Sequence, residues 1–158
     1  EMLRSLVGSE MCIRDRITKE YLAVLRGHPR EPAATLTDLL FRDASHNKSY
    51  VVKRMRKGVR EARLSYEEVG RTEELSLVRV QLYTGRTHQI RVQFASRRHP
   101  LYGDGKYGSR IKGDIALQSA RLRFIHPDTG KEMDFRLPVP GTWPAWGIRQ
   151  ENDNGTTV

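Results

Sequence analysis

Residues 84–94, TGRTHQIRVQF, set His88, Gln89 and Arg91 among the apolar residues Ile90, Val92 and Phe94. The run before them, residues 75–83, is strand-like, with Leu75, Leu77, Val80, Leu82 and Tyr83 apolar. Gly85 can supply a turn and Thr87 a helix N-cap, so the stretch reads as strand, tight turn, helix. The alternation of Ile90, Val92 and Phe94 would also suit a strand. On a helical wheel at about 100° per residue, Phe94 falls about 40° round from Ile90 and Arg91 about 100° round. Arg91 then points between Ile90 and Ala95, towards the interior. A guanidinium cannot shed its charge there. It must find a carboxylate or phosphate, because an unpaired buried charge is very costly. Either Arg91 snorkels to the surface, as most arginines do, or it holds a buried acid at a reaction centre.

TGRTHQIRVQ followed by HPLYGDGKYG resembles the third motif of the RluA-type pseudouridine synthases. The resemblance extends upstream to TKEYLAVLRG at residues 18–27 and downstream to IALQSARLRFIHPDTGKEMDFRLPVP at residues 115–140. It covers about residues 17–143, and the ordered series of three motifs makes it specific. Members of that family isomerise uridine in ribosomal or transfer RNA to its C-glycoside. The resemblance implies no metal, nucleotide or redox cofactor. It also implies a His-Arg-Leu-Asp segment carrying the catalytic aspartate, upstream of Thr18. That segment is absent from these 158 residues, so the chain by itself is expected to be inactive.

The reaction so implied has an aspartate engage the uridine while the glycosidic bond breaks, the base turns and C5 rejoins the ribose. The aspartate must be ionised in a dry cleft, and a fixed cation lowers its pKa. An arginine suits this because it stays charged and grips a carboxylate with two donors. Arg91 matches the family's arginine and is expected to be that cation. Tyr21, in the pattern of Lys19 and Tyr21, matches the family's active-site tyrosine, able to stack on a flipped pyrimidine. Leu117 matches the apolar position that packs near the base. His88 and Gln89 are expected to support them by hydrogen bonds. Asp104, between Gly103 and Gly105, is expected to build a turn and not to replace the missing aspartate. Gln118 stands where relatives commonly have histidine.

Charge agrees with an RNA partner. Lys and Arg number 28 against 19 Asp and Glu, a net charge of +9. Such an excess points to a polyanion, and with no basic amphipathic anchor to nucleic acid rather than a membrane. No apolar run approaches the roughly 20 residues that span a bilayer. Lys53, Arg54, Arg56 and Lys57, within a basic run from Lys48 to Arg63, are candidate phosphate contacts. So are Arg97, Arg98 and Lys106 beside Arg110, interleaved with Tyr102 and Tyr107 for base stacking. Cys12 is the sole cysteine, which excludes an internal disulfide and fits a cytoplasmic protein. The five histidines are scattered without a His-x-x-x-His pair, so no metal site is expected.

These side chains need a scaffold. Residues 18–26, 36–41, 50–52, 61–69, 75–83, 115–125 and 131–137 read as strands. Residues 43–49 make a polar turn, Gly58 a hairpin tip, and residues 126–130 the turn of a last hairpin. Residues 99–109, rich in glycine and tyrosine, read as a structured loop. The pattern predicts an α+β fold, a mainly antiparallel, mixed sheet with one or two helices. By resemblance this is a truncated pseudouridine synthase catalytic fold. Residues 1–16 match neither the family nor a signal peptide and read as non-native sequence. Residues 17–148 are expected to be the C-terminal part of a catalytic domain, and residues 149–158 a polar tail. Two rivals to an isomerase remain: a stand-alone RNA-binding module, and a structural sheet domain with incidental charge.

Overall fold

In a computed structural model, which describes residues 17–140 and Trp143, the alternating runs form one seven-stranded sheet. Its strands are β1 (Thr18–Arg26), β2 (Ala33–Asp43), β3 (Lys48–Val52), β4 (Val59–Arg71), β5 (Leu75–Leu82), β6 (Leu117–Ile125) and β7 (Glu132–Arg136). The order across the sheet is β3-β2-β4-β5-β1-β6-β7. Every pairing among these strands is antiparallel. The one α-helix among the described residues is α1 (Gln89–Ala95). The fold is the antiparallel α+β arrangement expected from the sequence. The expected segments at residues 1–16 and 149–158 lie outside the described residues.

One face of the sheet is covered by α1. Opposed residues share a face in an antiparallel pair. Tyr21 opposite Val80 and Leu36 opposite Leu64 therefore line the same side. Ile90 and Phe94 pack there with Ala23, Leu25, Leu64, Tyr66 and Val80. The Phe94 and Tyr66 rings meet edge to face, centroids 5.3 Å apart. On the other face, Leu22, Val24 and Leu77 pack with Ala116 and the half-buried Tyr102.

Two local expectations change. Thr87 does not cap α1; the cap is His88, held at φ 54°. Gly58 is not a hairpin tip. β3 and β4 both flank β2, so residues 53–58 cross over that strand. Arg56 lies 4.9 Å over the Phe41 ring along this crossing.

The loop after α1 is shaped by Gly103, at φ +78°. A Cβ there would stand 2.2 Å from the Asp114 carbonyl oxygen, whereas one at Gly105 would meet nothing within 4 Å. Gly103→Ala is expected to destabilise the fold by at least about 2 kcal/mol. Gly105→Ala should stay within about 0.5 kcal/mol of the parent. Urea unfolding of the two variants side by side measures the difference.

Candidate active site and RNA interface

The inward direction expected of Arg91 is what the fold has, and its partner is Asp104. Nε donates to one carboxylate oxygen at 2.8 Å and a terminal nitrogen to the other at 2.9 Å. The Asp104 side chain is fully buried and that of Arg91 is 16% exposed. This corrects the reading of Asp104 as only a turn residue. Its carbonyl does accept Ser109 N–H at 3.0 Å, but its carboxylate neutralises a buried cation. The hydrogen bonds it donates to Asp104 raise the Arg91 pKa above its ordinary value.

Tyr107 seals this pair. The Arg91 guanidinium lies 5.0 Å over its ring. The Tyr107 hydroxyl accepts Ser49 N–H at 2.9 Å and meets His88 Nδ1 at 2.7 Å. Tyr107 is thus buried and is not the surface platform for bases that its place in a basic loop led us to expect. Tyr102 likewise packs beneath the sheet. Arg97 is occupied too, bound through two nitrogens to Asp38 at 2.6 and 3.1 Å. Gln93 donates to the same carboxylate at 2.9 Å. Gln89 holds the preceding turn: its Oε1 accepts Arg86 N–H at 3.0 Å and the Thr84 hydroxyl at 2.8 Å, and its Nε2 donates to Arg63 O at 3.1 Å. Lys53, Arg54, Arg56, Lys57, Arg98 and Lys106 are exposed.

Tyr21 lines a cleft of about 680 Å³. Its other walls are Ile17, Lys19, Leu82, Tyr83, Thr84, Gly85 and Arg86. Leu117, paired with Ala23 two residues along β1, faces the same side as Tyr21. Arg91 is not in this wall; Arg86 is. Arg86 Nε donates to Glu61 O at 2.9 Å, and its terminal nitrogens have no partner among the described residues. Tyr83, 48% exposed, carries Arg63 at 4.6 Å over its ring and presents an aromatic surface at the cleft. Sequence reasoning missed Arg86 and Tyr83 as site residues. The available signal was their place around the Thr84–Gly85 turn, where a strand end opens onto solvent. The cleft therefore combines a phenol, an apolar flank and an anchored guanidinium with open donors. That set can hold a flat base beside an anion.

The RNA pseudouridylate synthase family profile matches residues 8–96. A Bacillus subtilis protein named as an uncharacterized RNA pseudouridine synthase, YlyB, is 36% identical over 131 residues, covering 81% of this chain and 42% of that one. The ribosomal large subunit pseudouridine synthase D of Vibrio vulnificus is 43% identical over 83 residues, covering 42% of this chain and 26% of that one. The chain thus spans less than half the length of these relatives. Among solved structures, human RNA pseudouridylate synthase domain containing 1 is 25% identical with a TM-score of 0.66, covering 82% of this chain and 58% of that one.

Breaking a buried pair leaves one charge uncompensated. Asp104→Asn is expected to cost about 3–5 kcal/mol in urea unfolding. His88 gives a pH signature. Partial burial first, then Arg91 and Lys106, hold its pKa below 6.5. The unfolded chain therefore binds the His88 proton more readily than the folded one, and stability must rise with pH. The contribution is complete above pH 6.5 and is lost as pH falls through the lower folded value. Unfolding midpoints between about pH 7.5 and 5 should fall with acid, and His88→Gln should flatten that slope.

Proposed function

The chain belongs to the RNA pseudouridylate synthase family, of the RluA type, and on that premise we propose that its Tyr21–Arg86 cleft receives a uridine of an RNA strand for conversion to pseudouridine. The observation that carries this reading is the pairing of Tyr21 with an arginine whose outer donors are open. Tyr21 stacks on the flipped base or sets its hydroxyl near C5, while Leu82 and Leu117 supply the apolar side. Arg86 is the cation that keeps the catalytic aspartate ionised. Arg91, expected from the resemblance to do this, already has its carboxylate in Asp104 and acts as a positioning residue. It anchors α1 and, through α1, the turn that carries Arg86.

The aspartate belongs to the His-Arg-Leu-Asp segment. As these 158 residues do not contain it, they are expected to be inert alone. The likeness to a synthase named for the large ribosomal subunit favours ribosomal RNA as substrate. A single cysteine fits a reducing cytoplasm as the place of action.

Tritium release from RNA labelled at uridine C5 tests the reading, because C5 exchanges its hydrogen for the ribose carbon. A full-length protein that includes the His-Arg-Leu-Asp segment should release tritium. Arg86→Lys and Tyr21→Phe in that protein should each slow release about a hundredfold or more. Release by the 158 residues alone would contradict the proposal. RNA affinity with no release from the full-length protein would favour a binding module instead.

A further inference from the structure

A second concavity, of about 440 Å³, shares Gly85 and Arg86 with the Tyr21 cleft. Its remaining walls are Leu40, Arg42, Ser49, Gly58, Arg60 and Thr87. Three of these walls are guanidinium side chains, Arg42, Arg60 and Arg86, and none is a carboxylate. Elsewhere this fold gives inward arginines an acid: Arg91 has Asp104 and Arg97 has Asp38. The side chains of Arg42 and Arg60 have no ion pair or hydrogen bond among the described residues, and both residues are exposed. The nearest acid along the chain from Arg42, Asp43, is engaged by Ser45 and His46. Glu61, next to Arg60, stands opposite Leu39 and so faces the other side of the sheet from Arg60, which stands opposite Leu40.

With Arg86 facing the catalytic aspartate on its cleft side, Arg42 and Arg60 still repel each other across the hollow unless an anion joins them. Two of the walls are tied together, the Ser49 hydroxyl donating to Thr87 O at 2.7 Å. Gly58 ends the exposed cationic crossing of residues 53–58 at the rim, so positive potential continues outward from the hollow. Fork-shaped donors suit phosphate oxygens better than point charges do.

We propose that the Arg42–Arg60–Arg86 hollow binds the backbone phosphate flanking the uridine that occupies the Tyr21 cleft. The proposal rests on the reading of that cleft as a uridine site. Because the two hollows share Gly85 and Arg86, a phosphate in one and a base in the other can be neighbours along one strand. The hollow reads no sequence. It fixes the register of the strand so that one nucleotide, and not the next, meets Tyr21.

The test uses a fluorescein-labelled RNA hairpin with one loop uridine, and the full-length protein. Affinity is measured by anisotropy across a salt series. Arg42→Gln and Arg60→Gln should each raise Kd roughly tenfold. Each should also lower the slope of log Kd against log salt by about 0.7. Lys131→Gln, which removes an exposed charge in the β6–β7 turn, should change neither. A second arm needs no substitution. A neutral methylphosphonate at one of the two linkages flanking the uridine should weaken binding to the parent protein, and should cost the Arg42→Gln/Arg60→Gln double variant nothing further. Unchanged affinity and salt slope in both variants overturns the proposal. So does a methylphosphonate effect that is equal at flanking and remote linkages. Tritium release is scored separately, so a parent that binds in this register without turnover refutes the isomerase reading and leaves the hollow standing.

Discussion

A guanidinium inside a protein has no neutral form to retreat to, and the fold around Arg91 follows from that. Its charge is met by Asp104, from a loop that α1 must therefore keep close. The loop in turn delivers Tyr107 over the same guanidinium and under Ser49 and His88. Replacing the pair by apolar residues could be as stable, since desolvation offsets much of the attraction. What the pair adds is direction. Two parallel hydrogen bonds permit one relative orientation of helix and loop, where apolar contacts would permit several.

The same helix is fastened to the sheet by side chains on it and just past its end. Gln89 holds β4 and the turn before the helix, while Gln93 and Arg97 converge on Asp38 of β2. α1 is only seven residues long and would not persist alone. Its stability is borrowed from Phe94 and Ile90 in the core and from these polar ties. The consequence for the cleft is rigidity in the Thr84–Arg86 turn. Backbone and side-chain bonds from Gln89, Arg63 and Glu61 leave Arg86 little freedom except at its outermost nitrogens.

The positive charge of the chain is divided by use. Arg91 and Arg97 are spent on carboxylates within the fold, and Arg71, Arg121 and Arg123 on carboxylates at its surface. Arg42, Arg60 and Arg86 gather at one hollow beside the cleft, with Lys53, Arg54, Arg56 and Lys57 on the adjoining crossing loop. Total charge alone described a polyanion partner. The distribution sets the exposed cations beside the Tyr21 cleft, which is where the proposed seating of an RNA strand would use them.

Alternation of apolar and polar residues determined the strands, because side chains on a strand alternate faces whatever lies beyond. β1 at Thr18–Arg26 was legible to the residue, and the inward aim of Arg91 followed from helical spacing alone. Motif order carried the family. What stayed hidden was partnership across long separations. Arg91 could be seen to need an acid, yet nothing local named Asp104, and Arg97 meets Asp38 across 59 positions. Tyr107 and Arg98 look alike in a basic loop, but only the packed fold buries one and exposes the other. Arg86 and Arg91 sit five positions apart in one motif, and only the tertiary structure sends the first to the cleft and the second to Asp104. Local sterics act on neighbours in the chain. The choice among competing charges is made by the geometry of surfaces that come together only on folding.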